Sequence, residues 1–240
     1  MLRLLWRHSL PAGHRTRGPK QTVTVDAVVT AAVTVADREG YAQVSIRAVA
    51  AELGLRPMSL YTYVPGKDAL VELMVDTIAR EDEPIDTGLP VRARLAAIAG
   101  QFHGELLRHP WLLEVSAWRP VLGPGRSLRY ERQLAALEGT GLPDLEMDQV
   151  LTTLSGFAAG NARTAVAAAR SRAEMTDERW WALYGPLLEK VMPAKQFPVS
   201  SRVGALVGEL YQAPGDPDRS YEFGLRTVLD GLERLIGPQA

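Results

Sequence analysis

The chain has 240 residues, of which 46% are hydrophobic and 23% are charged, and its formal net charge is −1, as in an ordinary globular protein. It contains no cysteine, which excludes disulfides, cysteine-based zinc sites and thiolate catalysis and suits a cytoplasmic location. No apolar run approaches the roughly 18 residues of a membrane-spanning helix, so we expect no membrane partner.

Positive charge is concentrated near the start of the chain. Residues 1–67 hold nine Lys and Arg against four Asp and Glu, whereas the remainder holds 18 against 24. A basic head on an acidic body fits a module that binds a polyanion, but five of the nine bases precede residue 21, so a basic tail explains the asymmetry equally well. We interpret residues 1–21 as a disordered basic arm, or as extra residues from an early start codon.

Helical periodicity follows, without the alternation that is typical of strands. Ser45 is a suitable N-cap, Gly54 a helix end, and Pro57 a first helical residue. The predicted helices are residues 24–39, 46–53, 57–63, 67–83, 91–108, 111–118, 127–138, 145–173, 177–192, 200–211 and 221–236.

Two short helices joined by a glycine turn, at 46–53 and 57–63, have the geometry of a helix-turn-helix. The small Ala50 permits close helix approach, Gly54 tolerates a left-handed backbone, and Leu60 is expected to point inward. The second helix of such a unit places its first residues against base edges in the major groove. Its expected exposed residues are Pro57, Met58, Ser59, Tyr61, Thr62 and Tyr63.

Residues 45–70 and the helix before them resemble the DNA-binding domain of the TetR (tetracycline repressor) family. The resemblance includes Leu60-Tyr61-x-Tyr63-Val64 and extends more loosely to the tetracycline-repressor-type C-terminal domain, through His109-Pro110-Trp111-Leu112 and residues 223–232. It implies an all-α protein with an N-terminal three-helix DNA-binding domain at 22–83 and a larger helical domain for inducer binding and dimerisation at 84–240.

By this resemblance the protein is a homodimeric repressor that a small hydrophobic or amphipathic inducer releases from double-stranded operator DNA. The predicted helix 67–83 would link the two domains. An activator, or a ligand-binding or scaffolding protein that lacks specific DNA recognition, would use the same fold. We expect no enzyme, because phosphate loops and nucleophile elbows are missing and His103 and His109, six residues apart, face different sides of one helix.

The resemblance places residues Arg47, Met58, Ser59, Tyr61, Tyr63 and Lys67 near DNA. Arg47 can contact guanine or a phosphate, and Ser59 and Thr62 can reach phosphates or base edges. Tyr63 fits packing as well as contact. Because Pro57 and Met58 replace polar residues of tetracycline repressor, the base preference does not transfer.

The second domain offers candidates for two further sites. No cofactor other than an unidentified inducer is expected, and no metal, since residues 114–117 lack the histidine with which tetracycline repressor holds its magnesium-bound drug. The candidate ligand residues are Phe102, His103, Leu106, Leu113, Trp118, Phe157, Asn161, Trp180 and Trp181. The candidate dimer residues, which could instead pack within one subunit, are Phe157, Tyr221, Leu225, Val228, Leu229 and Leu232.

Overall fold

The computed structural model describes residues 1–10, 23–115 and 119–237, and within these ranges its regular structure is entirely helical, which confirms the all-α prediction. Two short 3₁₀ segments lie at Tyr41–Gln43 and Pro110–Glu114. Over the described residues the α-helices are α1 (Leu2–Leu5), α2 (Val25–Glu39), α3 (Ile46–Glu52), α4 (Pro57–Leu60), α5 (Lys67–Ala79), α6 (Val91–Arg108), α7 (Pro124–Ala135), α8 (Asp144–Glu174), α9 (Asp177–Val191), α10 (Pro198–Tyr211) and α11 (Pro217–Ile236).

Helices α2 to α5 enclose the first hydrophobic core. The side chain of Thr24 caps α2 by accepting a hydrogen bond from the Ala27 amide at 3.1 Å, which satisfies one of the free N–H groups at the helix start. The helices then bury one apolar face each, and the core residues Val28, Leu60 and Leu70 have no exposed surface.

The first ten residues are ordered, which corrects the expectation of a disordered arm for this part of residues 1–21. Leu5 is 1% exposed in the core of α2 to α5, and the indole N–H of Trp6 donates to the Leu122 carbonyl at 2.8 Å. Arg7 also pairs with Asp26 at the start of α2. Apolar burial and these polar contacts hold α1 in place; residues 11–21 of the predicted arm lie outside the described residues.

The second core lies between α6, α8 and α11. Leu95, Ile98 and Leu154 are fully buried there, and residues from the end of α7 close one side. In contrast, α9 and α10 contribute no buried residue, and their apolar side chains are largely exposed. Among the described residues no helix is both long and apolar enough to cross a membrane.

Several helix boundaries differ from those predicted. Helix α7 begins at Pro124, three residues before the predicted start, because proline is well suited to the first turn of a helix. Helix α5 ends at Ala79 rather than at residue 83, α4 ends at Leu60, and Pro110–Glu114 forms a 3₁₀ segment.

The 3₁₀ segment joins the two parts of the chain. Trp111 is 1% exposed within the first core, and its indole N–H donates to the Asp37 carboxylate of α2 at 2.8 Å. His109 Nδ1 lies 2.8 Å from the same Asp37 oxygen. The segment that follows α6 is therefore packed directly on α2 and the first core.

Candidate nucleic-acid interface and ligand cavity

The helix-turn-helix has the local geometry that its residues predict. Ser45 Oγ caps α3 by accepting a hydrogen bond from the Ala48 amide at 3.1 Å. Gly54 has a left-handed backbone with φ of +66°, which an L side chain rarely adopts. Ala50 and Leu60 are fully buried between the helices. The predicted inward role of Leu60 is confirmed, and the opposite side of α4 is left to solvent.

The exposed side of this unit carries most of the residues expected at DNA. Met58 is 75% exposed and Tyr61 is 51% exposed. Ser59 is half-buried. The other exposed candidates are Arg47, Pro57 and Thr62.

Two of the expected DNA contacts are partly engaged within the chain. The ring of Tyr63 is half-buried and packs against the first core. The ammonium of Lys67 lies 4.5 Å from the centre of the Tyr41 ring and 3.5 Å from the Tyr41 carbonyl oxygen. Lys67 keeps further N–H donors, so it is positioned by Tyr41 at the start of α5 rather than neutralised.

Arg56 is a residue of this surface that the sequence analysis missed. It is exposed and immediately precedes α4, the second helix of the helix-turn-helix, so its charge lies beside the helix that is expected to enter the major groove. The negative charge of Glu52 on α3 is compensated by Arg38. Glu52 accepts a 2.8 Å hydrogen bond from Arg38, and this bond lowers the Glu52 pKa. The sequence could have indicated Arg56, because it is a basic residue directly before the proline that begins α4.

A cavity of about 580 Å³ lies in the second domain, against residues from α5 to α8. One part of its wall is apolar, and the other presents charged and hydroxyl groups. The apolar lining includes Phe102, Leu106, Leu112, Val115, Val121 and Leu151; the polar lining includes Glu105, Arg119, Arg126, Arg129, Tyr130, Gln133, Asp148, Thr152 and Ser155. Such a mixture is typical of small-molecule sites.

A buried ion-pair cluster supports this wall. Arg129 is 3% exposed, its Nη1 donates to Glu105 at 3.0 Å, and its Nε lies 2.6 Å from Asp82. Burial alone would lower the Arg129 pKa, but the hydrogen bonds and charges of Glu105 and Asp82 hold it above its usual value. Burial raises the pKa of Asp82. Arg129 therefore stays charged and ties α7 to α6 and to the segment after α5.

The nine predicted ligand residues are divided among several places. Phe102 and Leu106 line the cavity. Trp181 instead lines a second cavity of about 520 Å³ between α9 and α10, and Trp180 is 37% exposed on α9. Leu113 is half-buried in the 3₁₀ segment and is not part of either lining, and Trp118 lies outside the described residues.

His103, Phe157 and Asn161 lie together outside the cavity. His103 Nε2 lies 2.9 Å from Asn161 Oδ1, and the His103 ring stacks on Tyr221 with centroids 3.9 Å apart. Phe157 stacks on the same tyrosine at 5.4 Å. These residues join α6, α8 and α11, and Asn161 also donates to the Pro217 carbonyl at 3.2 Å. Asn161 of α8 thus forms hydrogen bonds to both α6 and α11.

The proposed dimer stripe on α11 faces its own chain. Leu229 is 4% exposed and Leu232 9%, and both belong to the second core. Leu225 and Val228 are half-buried against that core. Leu229 and Leu232 thus pack within their own subunit, which is the alternative left open for the candidate dimer residues.

Comparison with known proteins agrees with both parts of the chain. Residues 28–74 match the family described as "Bacterial regulatory proteins, tetR family", and residues 84–236 match the "Tetracyclin repressor-like, C-terminal domain". The chain belongs to the TetR family. It is accordingly a DNA-binding transcriptional regulator.

Relatives of this TetR-family chain include an HTH-type transcriptional repressor, DrrR1, from Streptomyces coeruleorubidus. It is 41% identical over 98% of this chain and 85% of its own length. Among solved structures, ActR from Streptomyces coelicolor in complex with actinorhodin has a TM-score of 0.74 at 27% identity, covering 92% of this chain and 100% of that one. Apo ActR from the same organism has a TM-score of 0.70 at 28% identity, covering 90% and 99%.

Proposed function

We propose that this TetR-family protein represses transcription as a cytoplasmic homodimer and leaves its operator when a small molecule occupies the cavity of about 580 Å³. The repressor name of DrrR1 and the actinorhodin complex of ActR favour this reading over activation. The observation that carries it is the position of the cavity, because Val75 of α5 and residues of α7 and α8 line it together.

The link to DNA follows from α5. This helix begins at Lys67, shortly after the helix-turn-helix, and reaches the cavity wall at Val75. If α5 has one position in the DNA-binding state and another in the released state, a ligand that binds the released state more tightly increases the population of that state. The size of the shift is set by the difference between its affinities for the two states. The occupied cavity would thereby change the separation of two recognition helices in a dimer.

Dimerisation would use the outward side of α11. Phe223 is 64% exposed on the side of α11 away from the buried Leu229 and Leu232, and Leu235 near the end of the helix is 55% exposed. Large exposed apolar side chains of this kind fit an isologous helical interface. Sedimentation should find a dimer of the wild-type chain, and Phe223→Arg should shift it toward monomer.

The DNA function is tested by selecting genomic fragments on the purified protein and footprinting those recovered. We expect a palindromic site with half-sites about 10 bp apart or a multiple of that spacing. A reporter gene placed behind the site should be repressed by the protein, whereas an activator would raise its expression. Binding without preference over random DNA would contradict sequence-specific regulation.

A further inference from the structure

The cavity contains one half-buried guanidinium that has no partner among the described residues. Arg126, in the first turn of α7, lines the cavity and is half-buried; its backbone amide donates to Asp76, and its side chain makes no hydrogen bond to the described residues. Burial and the neighbouring charge of Arg129 lower its pKa. A half-buried cation that faces a cavity is poorly solvated until an anion approaches it.

The carboxylates around Arg126 are already occupied. Both oxygens of Glu105 accept from Arg129, and Asp82 is paired with the Arg129 Nε at 2.6 Å. Asp148 accepts the Tyr130 hydroxyl at 2.9 Å. The Asp76 carboxylate accepts the Arg126 amide at 3.0 Å. The charges of Glu105, Asp76 and Asp82 stabilise the guanidinium through space, but none of the described residues accepts a hydrogen bond from it.

The remaining wall of the cavity is suited to an apolar body. Phe102, Leu106 and Leu151 contribute ring and aliphatic surface. The exposed Arg119 adds a second positive charge to the lining. The cavity therefore combines an apolar wall with cationic donors, a pairing that discriminates strongly for an acid group on an apolar ligand.

We propose that the inducer is an amphipathic organic anion whose acid group pairs with the Arg126 guanidinium while its apolar body lies against Phe102 and Leu106. This proposal rests on the proposed function of the cavity as the inducer site. Arg126 is its specificity-determining residue: it selects the acid over a neutral molecule of the same shape. The held acid group would share this cavity with α5, because Val75 of that helix also lines it.

Two fluorescent probes with the same ring skeleton test the proposal. 1-Anilinonaphthalene-8-sulfonate carries an acid group, and N-phenyl-1-naphthylamine lacks it. Their dissociation constants are measured on the wild type, Arg126→Met and Arg126→Lys. We expect Arg126→Met to weaken sulfonate binding about tenfold or more and to leave the neutral probe unchanged, because a hydrogen bond to a charged group is lost. Arg126→Lys should restore part of the difference.

Two controls locate the probes and separate charge from position. Gly156→Leu narrows the cavity: Gly156 lines it, and a Cβ added there meets no atom within 4 Å, so the variant should fold and bind both probes more weakly. Arg163→Met removes an exposed arginine of α8 outside the cavity lining and should leave both affinities unchanged.

The outcomes are distinct. If Gly156→Leu leaves both affinities unchanged, the probes bind elsewhere, such as on the exposed apolar faces of α9 and α10, and the cavity fails as a ligand site, which overturns the proposed inducer site along with this inference. If Gly156→Leu weakens the binding of both probes but Arg126→Met affects the two probes equally, only the acid-recognition proposal is overturned. A loss of thermal stability in Arg126→Met would also contradict it, because an unpartnered cation should be dispensable for folding.

Discussion

The carboxylate of Asp76 on α5 accepts a 3.0 Å hydrogen bond from the amide of Arg126 in the first turn of α7. The residue before α7, Gly123, has no side chain to cap the helix, so α5 supplies the cap from outside. Contact is close: a Cβ on Gly125 would lie 1.9 Å from the Asp76 carbonyl oxygen, and one on Gly123 would lie 2.1 Å from Asp76 Oδ1. The helix that leaves the DNA-binding domain is thus joined directly to the cavity wall.

The first prediction concerns this joint. Asp76→Ala should lower the free energy of unfolding by about 1–2 kcal/mol, because a helix cap is lost, and should weaken the effect of a cavity ligand on operator affinity. Asp76→Asn is the matched control, since asparagine caps helices as well as aspartate does. Urea denaturation and operator titration with and without ligand measure the two effects. Wild-type stability and wild-type ligand response in Asp76→Ala would show that the contact is incidental.

A second prediction separates DNA contact from folding. Arg47→Ala and Tyr61→Ala remove exposed side chains and should weaken operator binding by about 1–3 kcal/mol, with the melting temperature unchanged. Leu60→Ala, at a fully buried position of the same unit, should instead lower stability by about 2–5 kcal/mol. Gel shifts and thermal denaturation distinguish the two patterns. Operator affinity equal to wild type in both surface variants would contradict the assignment of this face.

The first ten residues give a third prediction. Leu5 is 1% exposed and Leu2, in the same short helix, is 55% exposed. Leu5→Ala should therefore lower the free energy of unfolding by roughly 2 kcal/mol or more, because a buried cavity is created, while Leu2→Ala should be nearly neutral. Chemical denaturation of the two variants at one protein concentration makes the comparison. Equal stability would mean that α1 does not contribute to the folded core.

The helix-turn-helix could be predicted closely because its signals are local. The Ser45 cap, the left-handed Gly54 and the buried Leu60 are each set by the conformational preferences of one residue and its immediate neighbours. The boundary at Pro57 has the same origin. Residues with a strong backbone preference therefore located this unit without tertiary information.

The cavity and α1 could not be predicted in this way because they depend on contacts between distant parts of the chain. Leu5 is buried by α2 to α5, and the charge cluster of Arg129 is assembled from α6, α7 and the segment after α5. Periodicity located the apolar stripe of α11 correctly but did not reveal what covers it; Leu229 packs within its own chain. Composition likewise placed positive charge near the start of the chain without showing that Arg7 pairs with Asp26.

The last prediction concerns Tyr221, whose ring stacks on His103 and whose hydroxyl is buried without a hydrogen-bond partner among the described residues. Burial raises the pKa of this hydroxyl above its usual value of 10.0, because the fold disfavours the phenolate. The preference for the neutral phenol has no effect on stability below about pH 10, and stability falls as the pH rises from there through the raised pKa.

Tyr221→Phe should be neutral or stabilising at pH 7, since an unpartnered polar atom is removed, and should lose less stability at alkaline pH. Tyr184→Phe, at a 49% exposed position, is the control. Urea denaturation from pH 7 to about 11 gives the stabilities, and absorbance near 295 nm follows tyrosine ionisation. A loss of more than about 1 kcal/mol in Tyr221→Phe at pH 7 would instead indicate that the hydroxyl is hydrogen-bonded in solution, as a partner subunit would allow.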